Sequence, residues 1–364
     1  MATLQRVLFA GGGTGGHLFP GIAVARVIAA RHQGAQITFA GTGRGVEERV
    51  VGAEGFAFKK VRSRGLVGKS PQDMFKTVLL APFTILDAVR VLYQTKPDLV
   101  IGLGGYSSGP LVLLAASVGR PTMVLEQNTV PGATNRWLAP FVQAAAVPYE
   151  TTASYFGRKA YVTGNPVREG FLKNQEITKP GRTRVLVLGG SQGAHSINCA
   201  MATAAPTLKA AGGGLEVVHQ TGPKDVTMVE DAYKQAGLDA RVQDFIDGIH
   251  TEMHAADVVV CRAGATTLAE VAATGKPSLI VPLSVSANDH QRLNAKIFVL
   301  AEAAEMVEEN ELELKFSKCL LDLIMNVPHR RVMSEAARRL SKPHAATAVV
   351  EFAERIVRGD EVAS

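Results

Sequence analysis

Arg6-Val-Leu-Phe-Ala10 runs into Gly11-Gly-Gly-Thr-Gly-Gly-His17, and Arg184-Val-Leu-Val-Leu188 runs into Gly189-Gly-Ser-Gln-Gly-Ala194. Each is a short apolar strand that ends in a glycine-rich turn and hands over to a helical pattern. The same opening occurs once in each half of the chain, which predicts two similar doubly wound units in tandem. Working outward, strand-like runs recur at Gln36–Ala40, Asp98–Leu103, Pro121–Glu126, Ala144–Val147 and Ala160–Thr163. A second series follows at Leu215–Gln220, Arg241–Phe245, Asp257–Cys261 and Ser278–Pro282. Strands alternating with helices imply parallel sheets covered on both faces, an α/β class. The polar stretch Lys173–Thr183, with Pro180-Gly181, reads as the linker. The expected division is 1–167, 168–343, and a closing amphipathic helix in 344–364 that packs back toward the first domain.

Bulk properties fit that reading. The 364 residues are 46% apolar and 20% charged, enough for two ordinary domains with real cores. The 36 glycines suit many tight strand-to-helix turns. Cys199, Cys261 and Cys319 form no CxxC pair, so neither a disulfide framework nor a zinc site is expected, and a reducing compartment fits. Nothing near Met1 reads as a secretory signal. The longest apolar runs, Val78–Leu86 and Leu111–Ala116, fall short of the ~20 residues that span a bilayer, so a soluble or membrane-surface protein is expected. Residues 1–171 hold 18 Lys and Arg against 9 Asp and Glu; the remainder holds 21 against 24. The basic half could meet a phosphorylated substrate or an anionic membrane. Its cations are scattered and lack interleaved aromatics, which argues against nucleic acid.

Three glycine-rich turns follow strands, at Gly11–Gly16, Gly102–Gly109 and Gly189–Gly193. Such turns let backbone N–H groups approach an anion while the next helix presents its positive end. One alone is weak evidence, because any strand-to-helix turn can use glycine; three together favour phosphate. Gly11, Gly13 and Gly16 also match GxGxxG, so a dinucleotide enzyme has to be weighed. The second strand ends in Ala40-Gly41-Thr42-Gly43-Arg44 without the ribose-binding acid, although Arg44 keeps a 2′-phosphate reading open. The ribose acid is expected instead at Glu270, in Cys261-Arg-Ala-Gly-Ala-Thr-Thr-Leu-Ala-Glu270, close to a helix start. Asn288-Asp-His-Gln-Arg-Leu-Asn294 is a polar cluster suited to sugar hydroxyls. With no Asp-x-Asp metal clasp in the chain, helix-start amides, Ser191 and Arg168 would stabilise a leaving diphosphate.

Gly12-Gly-Thr-Gly-Gly-His17 with Pro20, Gly104-Gly-Tyr-Ser-Ser-Gly-Pro110, Glu126-Gln-Asn128, Gly164-Asn-Pro-Val-Arg168, Gly189-Gly-Ser-Gln-Gly193 and Cys261-Arg-Ala-Gly-Ala265 stand in one order along nearly the whole chain. In that order they resemble the MurG family, which transfers N-acetylglucosamine from UDP-N-acetylglucosamine to lipid I. The resemblance implies the GT-B fold, two Rossmann-like domains facing a cleft. It also implies inversion at the anomeric carbon and no tightly bound cofactor, with free Mg2+ at most a stimulant. By position, Thr14, Gly15, Gly16 and Asn128 would approach the donor sugar or its phosphates. Arg168 and Ser191 would meet the diphosphate, and the Ile246 backbone would meet the uracil. Ala265, Thr266, Thr267, Leu268, Ala269 and Glu270 would cradle the donor, with Gln291, next to His290, on the sugar.

Inverting transfer needs a base for the acceptor's 4-hydroxyl. The resemblance suggests His17, whose imidazole at a helix start should be neutral near pH 7; Glu126 is the second choice. The acceptor diphosphate would lie against Gly12, Gly13, Gly104, Gly105, Tyr106 and Ser107. Met74–Phe83 with Lys69, Lys76 and Arg62–Arg64 reads as a contact with an anionic membrane; the resemblance implies that this membrane face is the cytoplasmic side of a bacterial inner membrane. A core-facing helix is the competing account of that stretch. Other readings of the chain are a different GT-B lipid glycosyltransferase, a UDP-sugar epimerase, a UDP-sugar-binding regulator and an NADP dehydrogenase.

Overall fold

The computed structural model describes residues 4–43, 47–63, 71–173, 181–190, 192–212, 214–284 and 289–360, with backbone only over 71–79. Its strands are β1 Arg6–Gly11, β2 Gln36–Gly41, β3 Ala57–Lys60, β4 Leu99–Gly104, β5 Thr122–Leu125, β6 Ala144–Val147, β7 Ala160–Val162, β8 Thr183–Leu188, β9 Leu215–Gln220, β10 Asp239–Gln243, β11 Val258–Cys261, β12 Ser278–Ile280 and β13 Glu305–Met306. The helices of the first half are α1 Gly15–Arg31, α2 Glu47–Ala53, α3 Pro71–Thr95, α4 Ser108–Ser117, α5 Ala133–Leu138 and α6 Glu150–Ala153. Those that follow are α7 Glu169–Leu172, α8 His195–Ala210, α9 Val226–Ala236, α10 Ile249–Ala255, α11 Ala265–Thr274, α12 His290–Leu300, α13 Ser317–Met325, α14 Val327–Leu340 and α15 Ala345–Arg358.

Among the described residues these strands form two sheets, in the orders β3-β2-β1-β4-β5-β6-β7 and β10-β9-β8-β11-β12-β13. Every pairing in both sheets is parallel. The central strands read as unbroken apolar runs because helices cover both faces: β4, β5, β6 and β11 are buried along their length. The strand order reverses beside the first strand of each sheet, next to the glycine turns after β1 and β8. Sequence reading missed β3 and β13. Both are edge strands, short and only partly buried, and carry no apolar run to betray them.

The chain divides into residues 1–168 with 342–364, and residues 169–341. The first crossing therefore falls before α7, not in the polar stretch Lys173–Thr183. Phe171 explains the difference: its buried ring meets His250 of α10 at 6.0 Å, and His254 bonds the Gly170 carbonyl at 3.0 Å. Arg168, assigned by sequence to the second domain, ends the first unit. α15 returns to the first unit and buries Val349, Val350, Phe352, Ala353 and Ile356 in the same core as Val7, Phe9 and Ile28. Phe352 stacks on Tyr161 at 4.9 Å, and Glu354 binds His32 at 2.9 Å.

Candidate functional site

In the first unit the turns after β1 and β4 meet backbone to backbone. Gly11 and Gly12 hold φ of 115° and 146°, and Gly104 and Gly105 hold 92° and 77°. A Cβ on Gly11 would overlap the Gly104 carbonyl oxygen, and one on Gly105 would stand 2.9 Å from the Gly12 oxygen. Only glycine permits that approach. The approach seats His17, in the first turn of α1, directly against the second loop. Its Cδ2 and Nε2 lie 3.2 and 3.4 Å from where a Gly104 Cβ would stand. Its Nδ1 lies 3.2 Å from the Thr14 hydroxyl, a pairing that turns Nε2 toward the Gly104 side.

Glu126, the second choice for a base, is already saturated. Its Oε1 accepts from the Gln127 amide, the Asn128 amide and the Asn128 side chain at 2.9–3.0 Å. Its Oε2 accepts from the Gly132 amide at 3.1 Å and Asn135 Nδ2 at 2.8 Å. With five donors on a carboxylate that is 1% exposed, Glu126 is a clamp that shapes the loop after β5, and the base assignment is corrected accordingly. Asn135, which sequence reading did not single out, carries this clamp to within 3.6 Å of the same Gly104 position that His17 faces.

The amides of the first turn divide into two sets. Gly12 N–H donates to the Gly104 carbonyl at 3.4 Å, and Gly13 N–H donates to the buried carboxylate of Glu47. Their expected contact with the acceptor diphosphate through N–H is therefore revised. Tyr106 is half exposed, while Ser107 is buried. Arg168 lies over the Phe19 ring, 3.9 Å from its centroid, and so is held along α1 two residues past His17.

In the second unit the turn after β8 is braced by the end of β9. Gln220 Nε2 donates to the Gly190 carbonyl at 2.9 Å, and a Cβ on Gly193 would overlap the Thr221 carbonyl oxygen. Buried Asn198 holds that same carbonyl at 2.9 Å and bonds His219 at 3.0 Å. Burial pushes His219 down to about 3, against a weaker opposing pull from Asp225. It therefore serves as a neutral link to the Tyr233 hydroxyl at 2.8 Å. Ser191 lies outside the described residues. Ile246 donates its N–H to Gln220 Oε1 at 3.0 Å, which leaves its carbonyl as the atom able to meet a base.

α11 carries the expected donor cradle from Ala265 through Glu270, capped by Gly264. Thr266, Leu268 and Glu270 are buried, while Ala265, Thr267 and Ala269 are partly exposed. Leu268 is 1% exposed, backbone included, so the accessible surface of this stretch comes from Ala265, Thr267 and Ala269. Glu270 stands in the second turn, beyond the reach of the helix-start dipole that sequence reading invoked for it. Gln291, in the first turn of α12, accepts the Leu283 amide at 3.0 Å; Asn288 lies outside the described residues.

A further set of residues steadies that loop. Arg262 donates to Glu309 at 2.6 Å and to the carbonyls of Val281 and Pro282. Burial opposes the Glu309 charge, but bonds from Ser284, Ser196 and Arg262 outweigh it and hold the carboxyl at about 2. Among the described residues no group of His, Cys, Asp and Glu could hold a metal ion.

Two parallel, doubly wound units, each with a glycine turn at the carboxyl edge of its sheet, are the two Rossmann-like domains of the GT-B class. Residues 7–147 match the glycosyltransferase family 28 N-terminal domain, and residues 184–352 match its C-terminal domain. A protein of Anaeromyxobacter sp. (strain Fw109-5) is 43% identical over 97% of this chain and 94% of its own. It is named UDP-N-acetylglucosamine--N-acetylmuramyl-(pentapeptide) pyrophosphoryl-undecaprenol N-acetylglucosamine transferase. A Myxococcus xanthus protein of the same name is 40% identical over 94% of this chain and 91% of its own. The crystal structure of Acinetobacter baumannii MurG superposes with a TM-score of 0.74 at 30% identity, covering 96% of this chain and 98% of that one. The chain belongs to the MurG family.

Proposed function

We propose that this glycosyltransferase moves N-acetylglucosamine from UDP-N-acetylglucosamine to the muramoyl 4-hydroxyl of lipid I, with inversion, forming lipid II for peptidoglycan. The donor and acceptor are those named for its relatives. The observation that carries the reading for this chain is His17, set in the first turn of α1 and aimed at the loop after β4. In this reading Nδ1–H donates to Thr14, and Nε2 takes the proton of the attacking hydroxyl. The start of α1 and the loop at Gly104–Tyr106 receive the acceptor diphosphate. The turn after β8, Ser191 and Arg168 take up charge on the leaving UDP without a tightly bound metal. Asn128, Ile246, Ala265–Glu270 and Gln291 orient the donor, with Glu270 on the ribose.

The test is UDP release from UDP-N-acetylglucosamine with and without a lipid I analogue. Release that depends on the acceptor is expected. Donor turnover indifferent to the acceptor would favour an epimerase, and ligand-induced stabilisation without any release would favour a binding module.

The acceptor is a lipid, and α3 carries Phe83, Leu86, Val89 and Tyr93 exposed at helical spacing. Arg62 lies over the Phe83 ring at 5.1 Å and Lys96 over Tyr93 at 6.0 Å. We take this apolar stripe, with Lys96 at its end and Arg62 paired to Asp87 of α3 at 2.7 Å, as the contact with an anionic membrane, at the cytoplasmic face. Lys69 and Arg64, named with it from sequence, lie outside the described residues, as do the side chains of Met74 and Lys76. No described helix is long and apolar enough to cross a membrane. Flotation with anionic vesicles is expected to carry the protein upward, and neutral vesicles less so; no flotation with either would remove the membrane contact.

A further inference from the structure

A buried carboxylate stands beneath the turn that precedes His17, and the mechanism above does not use it. Glu47, the first residue of α2, is 1% exposed. One of its oxygens accepts the Gly13 N–H; the other accepts the Gly43 N–H at 2.7 Å and the Thr42 hydroxyl at 3.1 Å. The same group fills the space that side chains would occupy in both turns. A Cβ on Gly12 would stand 2.6 Å from Oε1, and one on Gly41 would stand 3.1 Å from each oxygen. Glu47 thus links the turn after β1 to the turn after β2, two neighbouring strands, through donors that only a carboxylate can satisfy together.

The consequence reaches the reacting groups along a short path. Gly13 precedes Thr14, Thr14 orients His17, and His17 rests on Gly104. A carboxylate on the Gly13 amide also places negative charge where a phosphate would otherwise nest. We propose that Glu47 is a positioning residue for the transfer: it fixes the β1 turn so that Thr14 and His17 face the acceptor, and it keeps the acceptor's diphosphate off Gly13 and at the start of α1. This rests on the first unit being the acceptor side.

Glu47→Gln is the sharpest test, because its amide nitrogen must face either the Gly13 or the Gly43 N–H, donor against donor. A misplacement of about 1 Å at a reacting group can cost ~100-fold in rate. Glu47→Gln is therefore expected to lower kcat/KM for the lipid acceptor by roughly 10- to 100-fold, while KM for UDP-N-acetylglucosamine stays within about twofold. Glu47→Asp, which keeps the charge, should recover part of the loss. Gly12→Ala, whose Cβ displaces the carboxylate, should reproduce the Gln pattern. A purely structural role would instead lower Tm and the active fraction with both KM values unchanged, and that result overturns the proposal. Wild-type kinetics in Glu47→Gln overturn it as well. His17→Ala, measured alongside, keeps the two readings apart: an inactive His17→Ala beside a normal Glu47→Gln defeats this inference and leaves the acceptor-side assignment standing.

Discussion

The two glycine turns that look alike in sequence are braced in different ways. After β1, the turn packs on the Gly104–Gly105 backbone and is also braced by a charged side chain, Glu47, below it, with Thr14 and His17 at its exit. After β8, the turn packs on the Thr221–Gly222 backbone and is tied by the neutral side chain of Gln220, which links Gly190 to Ile246. A turn set by side chains can be tuned to hold a reacting group. One tied by the neutral Gln220 amide holds its own amides in place with no charge beneath them. The contrast suits a catalytic acceptor half and a donor-binding half.

Alanine substitutions turn the contrast into numbers. Gly193→Ala would drive its Cβ into the Thr221 carbonyl from a backbone at φ 80°, where nothing nearby can yield. It is expected to abolish detectable UDP-N-acetylglucosamine binding or to leave little folded protein, as read by calorimetry and circular dichroism. Gly13→Ala has a comparable φ of 88° but open space around its Cβ. It should cost about 1–2 kcal/mol of backbone strain, lower Tm by a few degrees and leave donor affinity intact. Equal losses in the two variants would erase the distinction.

Much of the fold was legible because the central strands are continuous apolar runs ending in glycine, a pattern that depends only on local sequence. The polar stretch Lys173–Thr183 misleads as a linker, since the crossing before α7 turns on Phe171 choosing α10 as its neighbour. At the site, the motif residues Thr14, His17 and Glu126 could be picked out, but their roles depended on contacts far along the chain. Glu126 looked like a base until five donors were seen around it. Glu47 was invisible because its partner Gly13 lies on another strand's turn, 34 residues away. Gln220, Asn135 and the Arg262–Glu309 pair were missed for the same reason: each acts by holding a loop that lies elsewhere in sequence.

The role of His17 is tested most directly by single-turnover transfer with His17→Ala, measured beside UDP-N-acetylglucosamine affinity. Loss of a general base predicts a fall in rate of about 10²- to 10⁴-fold, with donor affinity near that of the wild type. Turnover close to normal would remove His17 as the proton acceptor and, with it, the assignment of the first unit's glycine turns to the reacting hydroxyl.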